Sequence, residues 1–263
     1  MDLKGKVAIV TGSATGIGAA VAVALPRRGA NVIVNYTKSE KEARETGEAV
    51  RATGAEVRVV QADVAKDSDC RKLAKAALDA WGRIDILVNN AGTTKFAAHH
   101  DLDALTAEDF ANIYAVNVIG PFQMIRACAD ALKAHGDGAV VNVSSIAGIR
   151  GIGSSVAYAA SKGALNNMTV SLARALAPSV RVNAVCPGYV ATGWFQNRFG
   201  EEAFKRITET QAQVAPLKRA ADGAEIAKTV SFFAGPESRH ITGETLLTDG
   251  GLHLNIATEA RPA

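Results

Sequence analysis

Short apolar runs rich in β-branched residues recur along the chain, and alanine-rich segments with helical spacing lie between them. The runs read KVAIV, NVIVN, EVRVVQA, IDILVN, AVVNVSS, VRVNAV and ETLLTD. Because these runs lack polar alternation, each is typical of a strand buried on both faces of a parallel sheet. The alternation of strands and helices therefore predicts an α/β fold, a doubly wound parallel sheet of seven strands flanked by helices.

Two segments depart from this regular alternation. The first predicted helix, from about Gly18 to Arg28, contains Pro26, which removes a backbone donor and predicts a kink or an early end. Residues 189–220 carry no clear strand, and a long connection of this kind often forms a lid over a substrate. No linker-like tract divides the chain, so we expect one domain over residues 1–263 with a lid at about 189–220.

Composition narrows the classes of protein to consider. The chain has 263 residues, of which 48% are hydrophobic and 21% charged, and this favours a large core over disorder. The 29 basic and 26 acidic residues are spread along the chain, so neither nucleic acid nor a membrane surface is indicated as a partner. Three scattered cysteines, without a neighbouring histidine cluster, favour buried thiols over a metal site. With no apolar signal core and no spanning run, we expect a soluble, cytoplasmic protein.

The segment VTGSATGIG follows the first predicted strand and opens the first predicted helix. Gly12, Gly16 and Gly18 would let the backbone turn tightly and approach a pyrophosphate at the helix N-terminus. An ordinary glycine-rich turn is the alternative, but the position after strand one of a βαβ unit favours a dinucleotide. The segment lacks the Gly-Lys-Ser/Thr ending of a nucleoside-triphosphate loop, so ATP and GTP are disfavoured.

The residues that follow the second predicted strand bear on the choice of cofactor. They read NYTKSE, with a hydroxyl at Thr37, a cation at Lys38 and no acid before Glu40. A free ribose 2′-hydroxyl is usually held by Asp or Glu at this place, whereas a 2′-phosphate prefers a cation. The sequence therefore favours NADP(H) over NAD(H). The alternative is that these residues form a solvated loop in which the lysine has no role in cofactor binding.

Eight short motifs, taken in order, resemble those of the classical short-chain dehydrogenases/reductases. They read TGSATGIG, ADV (62–64), NNAG (89–92), NVIG (117–120), NVSS (142–145), YAASK (158–162), VNAVCPGYVAT (182–192) and TDGG (248–251). The resemblance extends over nearly the whole chain. It implies a single Rossmann-like domain, usually a homotetramer, that moves hydride between a nicotinamide cofactor and a ketone or secondary alcohol.

The same resemblance implies a set of site residues. The implied catalytic residues are Asn117, Ser145, Tyr158 and Lys162. The implied cofactor contacts lie in the glycine turn, after strands two, three, four and six, and in the YAASK segment. They are Gly12, Ser13, Thr15, Gly16, Ile17, Gly18, Tyr36, Thr37, Lys38, Asp63, Val64, Asn90, Ala91, Gly92, Tyr158, Lys162, Pro187, Gly188, Val190 and Thr192. For Asp63, capping of the next helix is the alternative.

Tyr158 and Lys162 are four residues apart and therefore share one face of a helix. A free tyrosine has a pKa near ~10, and a nearby ammonium lowers it by stabilising the phenolate. We therefore expect Tyr158 to act as general acid/base on the substrate oxygen. By resemblance, Ser145 would hydrogen-bond the same oxygen, and Asn117 would position a water that links Lys162 to solvent. Packing roles are the alternative for each residue taken alone.

The sequence leaves the substrate open. The lid segment holds Trp194, Phe195, Phe199 and Phe204, enough aromatic surface to cover a partly apolar substrate. Carrier-protein reductases of the resembled family carry an arginine before strand five and another after the YxxxK helix. Here the matching places read HGDG (135–138) and APSV (177–180), so a free ketone, sugar or polyol is as well supported as a 3-oxoacyl carrier protein.

Two other classes of function compete with an enzyme. A nicotinamide-binding sensor without turnover would need the glycine turn but not Ser145, Tyr158 and Lys162 together. A purely structural oligomer would need neither. Assembly itself is expected, because the apolar helices predicted at 104–134 and 156–177 present more than one hydrophobic side.

Overall fold

The computed structural model describes residues 2–254 and contains one seven-stranded parallel sheet. The strand order is β3-β2-β1-β4-β5-β6-β7, which confirms the predicted fold class. Since the order reverses between β1 and β4, a crevice opens there at the carboxyl ends of the strands. The strands are β1 (Val7–Val10), β2 (Asn31–Tyr36), β3 (Val57–Gln61), β4 (Ile86–Asn89), β5 (Gly138–Val143), β6 (Val180–Pro187) and β7 (Thr245–Thr248).

Helices cover both faces of the sheet. A π-helical segment, Ala115–Ile119, connects two of them into one continuous helical stretch. The helices are α1 (Gly16–Arg27), α2 (Glu40–Arg51), α3 (Asp67–Trp81), α4 (Ala107–Tyr114), α5 (Gly120–Lys133), α6 (Ala147–Arg150), α7 (Val156–Leu176), α8 (Gly193–Phe199), α9 (Glu201–Val214) and α10 (Gly223–Ala234).

The two faces of the sheet bury two separate hydrophobic cores. Along β1, Ala8 and Val10 point into the core that also holds side chains of α1, α2 and α10. Val7 and Ile9 point into the core formed with α3, α5 and α7. Because successive side chains of a strand face opposite sides, a strand covered on both faces must be apolar throughout, as the sequence pattern required.

The two irregular segments have clear structural outcomes. Pro26 lies in the last turn of α1, which reaches Arg27, so the helix neither breaks at the proline nor ends much earlier than predicted. Proline lacks the backbone N–H that would bond the preceding turn, and the helix ends one residue after it. Residues 189–220 contain no strand, as predicted, and they fold into α8 and α9. Within residues 2–254, no helix has both the length and the apolar character needed to cross a membrane.

Candidate active site

The turn between β1 and α1 is shaped by glycines that have no room for a side chain. Gly12 has a φ of 59°, and a Cβ added there would lie 2.8 Å from the Cα of Ala91. A Cβ on Gly18 would lie 2.4 Å from Nδ2 of Asn90, so α1 packs directly against the segment after β4. No side chain caps the first turn of α1. Its backbone N–H groups are therefore available to an anion at the carboxyl edge of the sheet.

A buried asparagine that the sequence reasoning missed holds this turn in place. Asn35 on β2 accepts a hydrogen bond from the N–H of Gly12 through Oδ1 (2.9 Å). Its own N–H donates to Oγ of Ser13 (2.8 Å). Ser13 is fully buried, so its hydroxyl shapes the turn and does not reach the crevice. An amide in an otherwise apolar strand run, next to a glycine turn, is the signal that could have identified Asn35.

The residues after β2 and β3 line the outer end of the crevice. Tyr36 is partly buried, while Thr37 and Lys38 are exposed. Among residues 2–254, no hydrogen bond or ion pair engages the ammonium group of Lys38. After β3, the carboxylate of Asp63 accepts the N–H of Ala65 (3.1 Å). It does not cap α3, which begins at Asp67, so the capping alternative for Asp63 is wrong.

Val64 and Asn90 are held by contacts within the protein. Val64 is buried, and its carbonyl accepts a hydrogen bond from the amide of Gln123 (3.0 Å). Asn90 donates through Nδ2 to the carbonyls of Thr11 (3.0 Å) and Gly12 (2.9 Å). The Asn90 amide therefore ties the end of β4 to the glycine turn across the point where the strand order reverses.

The π-helical segment places Asn117 in the floor of the site. The side chain is fully buried and donates to the carbonyl of Thr93 (2.9 Å) and to Oγ of Ser161 (3.0 Å). Its Oδ1 accepts the N–H of Thr93 (2.8 Å). A Cβ on Gly92 would lie 3.5 Å from this oxygen and 3.8 Å from Nζ of Lys162. Short π-helical segments often mark functional sites, and this one brings Asn117 close to the predicted catalytic lysine.

The remaining predicted catalytic side chains meet where α7 crosses the end of β5. Ser155 caps α7 by accepting the N–H of Tyr158 (3.2 Å), which sets the start of the helix. Nζ of Lys162 is buried, donates to the carbonyl of Val143 (2.9 Å) and lies 5.7 Å from the centroid of the Tyr158 ring. Ser145 follows β5 and accepts the N–H of Ala147 (3.1 Å). All four predicted catalytic residues therefore share one end of the sheet.

Burial controls the acid–base properties of this group. Burial raises the pKa of Tyr158 to about 12, and a hydrogen bond with Ser145 lowers it only in part. Burial also lowers the pKa of Lys162 to about 8. We expected the nearby ammonium to give a lowered tyrosine pKa, but the loss of solvation raises it instead.

The segment after β6 returns to the glycine turn. Gly188 cannot carry a side chain, because a Cβ there would lie 2.8 Å from Cβ of Asp249. Val190 is buried and forms an isolated bridge with Ala221. Thr192 lies beside the glycine turn, with its Cβ 3.6 Å from the position a Cβ of Gly16 would occupy. The structure thus brings the start of the predicted lid to the N-terminus of α1.

The turn after β7 packs against the segment after β6. The buried carboxylate of Asp249 accepts the N–H groups of Gly251 (3.0 Å) and His253 (2.8 Å). It also lies 2.9 Å from Nδ1 of His253. Within the described residues, no group of three or more His, Cys, Asp or Glu side chains is placed to hold a metal ion.

Comparison with known proteins points to the same chemistry. A family model described as enoyl-(acyl carrier protein) reductase matches residues 12–253. A protein of Streptomyces violaceoruber, provisionally named ketoacyl reductase 2 of granaticin polyketide synthase, is 42% identical over 248 residues, covering 94% of this chain and 96% of the relative. A 3-oxoacyl-[acyl-carrier-protein] reductase of Staphylococcus epidermidis is 32% identical over 250 residues, covering 95% and 99%.

Solved structures agree with these relatives. A Burkholderia xenovorans structure, provisionally titled a short-chain dehydrogenase/reductase, superposes with a TM-score of 0.88 at 39% identity, covering 95% of this chain and 98% of that one. The structure of levodione reductase also gives a TM-score of 0.88, at 29% identity, covering 96% and 99%.

Proposed function

The chain belongs to the short-chain dehydrogenase/reductase family, and from that premise we propose that it reduces a free ketone with NADPH, or oxidises the corresponding secondary alcohol, with Tyr158 as general acid/base. The observation that supports the proposal most strongly is the meeting of Ser145, Tyr158 and Lys162 beside a crevice whose glycine turn has free backbone N–H groups.

The residues of the crevice fit a dinucleotide. The glycine turn has no side chain in the way of a pyrophosphate, and the uncapped start of α1 offers N–H donors to its charge. Gly92, with no side chain, leaves space next to Lys162 for a ribose and nicotinamide. We assign the pyrophosphate to the turn at Gly12–Gly18, the adenosine end to residues 36–38 and 63–64, and the nicotinamide end to Lys162 and residues 187–192.

In this assignment the chain's own residues handle the proton. A bound reduced nicotinamide would supply the hydride that adds to the carbonyl carbon. Tyr158 donates its phenolic proton to the carbonyl oxygen as negative charge develops there, which leaves a secondary alcohol and a tyrosinate. Ser145 donates a hydrogen bond to the same oxygen, and the Lys162 ammonium stabilises the tyrosinate until it is reprotonated from solvent.

Lys38 supports NADP(H) over NAD(H). Its ammonium is exposed beside the end of β2, and no carboxylate within residues 2–254 pairs with it. The first acid that follows, Glu40, is turned toward Arg44, with 2.6 Å between Oε1 and the guanidinium. A 2′-phosphate would therefore find a cation here, and a free 2′-hydroxyl would not find the usual carboxylate.

The test compares ketone-dependent oxidation of NADPH and NADH by the wild-type protein and by Lys38→Asp. We expect the wild type to prefer NADPH and the variant to reverse that preference, because the carboxylate repels a 2′-phosphate and can accept from a 2′-hydroxyl. Lys41→Asp, on the exposed side of α2, is the control and should leave the preference unchanged. If the ratio of NADPH to NADH oxidation is unaltered in Lys38→Asp, the cofactor assignment is rejected, but the proposal that the protein is an enzyme is not.

A 3-oxoacyl thioester on a carrier protein is the second candidate substrate, because a relative carries that name. The two places that lack arginine, 135–138 and 177–180, lie together beside Arg239, which pairs with Asp137 at 3.2 Å. Arg181 also lies there but is buried, and its guanidinium donates to the carbonyls of a neighbouring turn. One exposed, partly neutralised cation is a weak docking site for an acidic carrier.

We also propose a cytoplasmic homotetramer. The three cysteines are free and buried, which supports a reducing compartment. Large apolar side chains are exposed at the end of the π-helical segment, on α5 and on α7, within the two regions predicted to assemble. They are Ile119, Phe122, Val156 and Val170. A surface of this kind usually meets a partner.

A further inference from the structure

Gly153 borders the Tyr158 ring, and hydrogen bonds join the residue that follows it to the segment after β4. Gly153 lies alongside the ring, because a Cβ added there would be 3.7 Å from Cδ1 of Tyr158. The next residue, Ser154, accepts the N–H of Ala97 at its carbonyl (2.9 Å). The hydroxyls of Ser154 and Thr94 are 2.7 Å apart. Residues 93–99, which follow β4 and which we call the mouth loop, are therefore fixed next to the catalytic tyrosine.

The mouth loop meets the predicted lid through aromatic rings. Phe96 packs edge-on against Phe199 (5.3 Å between centroids) and Phe195 (6.5 Å), both on α8. Phe195 also contacts Tyr189 (4.8 Å), which directly follows the Pro187–Gly188 turn. We call Phe96, Tyr189, Phe195 and Phe199 the aromatic box. Edge-on and tilted contacts at these distances are the favoured geometry for aromatic pairs, so the box holds α8 over the mouth loop.

Few polar groups accompany the aromatic box. The Tyr189 hydroxyl is 2.7 Å from Oγ1 of Thr208, so Tyr189 offers a ring and not a free hydroxyl. The ammonium of Lys95 is paired with Asp109 at 2.7 Å. The guanidinium of Arg198 lies over the Phe96 ring, 5.7 Å from its centroid. A substrate with several hydroxyls would therefore lose its hydration here without enough hydrogen-bonding partners, whereas an apolar ring would gain contacts.

We propose that the aromatic box selects carbonyl substrates that carry an apolar cyclic or aryl substituent, with Phe96 as its principal specificity-determining residue. The inference rests on the proposed function, because it names the substrate class of that site. It removes sugars and polyols from the candidates that the sequence left open. Phe96 lies outside every sequence motif, and only the folded chain brings it to the lid.

The test measures kcat/KM for acetophenone and for dihydroxyacetone with NADPH. The wild type should prefer acetophenone, and Phe96→Ala should reduce that preference by about tenfold, the scale on which a hydrophobic contact discriminates substrates. Phe195→Ala and the milder Phe96→Leu provide second variants if Phe96→Ala folds poorly. Phe232→Ala is the matched control, because Phe232 is a similarly half-exposed ring on α10 outside the box.

A binding measurement separates this inference from the proposed function. Trp81 and Trp194 are the two tryptophans of the chain, so Trp81→Phe leaves Trp194 on α8 as the reporter. Acetophenone should quench its fluorescence in the NADP-loaded protein, and Phe96→Ala in that background should weaken the effect. If acetophenone binds in this way but no ketone is turned over, the proposed function is contradicted, and the assignment of the aromatic box as the binding site for the aryl group is supported. Ketone reduction with an acetophenone preference unchanged in Phe96→Ala, or a wild-type preference for dihydroxyacetone, would overturn the inference.

Discussion

The chemistry that we propose for the site depends on a lysine that is buried without a carboxylate partner. Lys162 donates to a main-chain carbonyl and faces the Tyr158 ring, and no acidic side chain within residues 2–254 is bonded to its ammonium. Its pKa is lowered to about 8 because burial disfavours the charged form. A cation held this way gains stability when a negative charge forms nearby. The tyrosinate that follows proton donation is such a charge.

The pKa of Tyr158 predicts a different pH dependence for each direction of the reaction. An acid acts while protonated, so a tyrosine pKa of about 12 leaves ketone reduction nearly unchanged between about pH 6 and 7.5. A base acts only after it loses its proton, so alcohol oxidation should rise by up to about tenfold per pH unit over the same range. Initial rates in both directions, at saturating cofactor, provide the check. An oxidation rate that falls as the pH rises would contradict these roles.

At this scale the sequence located the residues that belong to motifs and missed those that depend on the fold. Tyr158 and Lys162 could be paired because helical spacing alone places them on one face. Asn35 stood out only as an amide in an apolar run, and Phe96 carried no signal, because their partners, Gly12 and Phe195, are distant in the sequence. The pKa of Tyr158 was misjudged for the same reason, since the extent of burial is a property of packing.

Among the elements, α1 and the segment after β4 meet at the crevice that we propose for the cofactor. A Cβ on Gly18 would lie 2.4 Å from both Nδ2 of Asn90 and the carbonyl oxygen of Gly12. The helix can approach this closely only because the residue has no side chain. The same contact keeps the open N-terminus of α1 aimed at the crevice.

Gly18→Ala should therefore weaken NADPH binding by at least about tenfold and lower stability by about 1–3 kcal/mol, the usual cost of overpacking. Fluorescence titration and thermal unfolding measure the two effects. Ala24→Gly, later in α1, is the control, because it costs up to about 1 kcal/mol of helix stability without touching the turn. Equal cofactor affinity in Gly18→Ala and wild type would show that the close approach is not required.

Strands were predicted more completely than the connections between them. Uniform apolar runs are unambiguous when both faces of the sheet are covered, and all seven appear as β1 to β7. The lid helices α8 and α9 bury few apolar residues on the body of the protein. No residue of α9 is buried, so its pattern of polar and apolar positions does not show where the helix packs on the protein.

At the scale of the whole molecule, motifs from the entire chain lie together at one edge of the sheet, where the strand order reverses. The glycine turn, the end of β4, the start of α7 and the segment after β6 all meet there. Val156, one of the exposed apolar side chains that we assign to assembly, also lies at the start of α7.

Light scattering of the wild type should give the mass of a tetramer of the 27.3 kDa chain. Phe122→Glu should reduce the mass, because a carboxylate at a buried apolar contact costs desolvation energy. Leu78→Glu is the control, since Leu78 is similarly exposed but lies on α3. A monomeric wild type at working concentration would reject the oligomer proposal.

The most direct test of the central claim is ketone-dependent NADPH oxidation by Tyr158→Phe, with NADPH binding measured in parallel. Loss of the phenolic proton should lower turnover by at least ~10²-fold, as for other general acids, while cofactor affinity changes little. Tyr114→Phe, on α4 and outside the site, should match the wild type. Turnover in Tyr158→Phe comparable to the wild type would contradict the account.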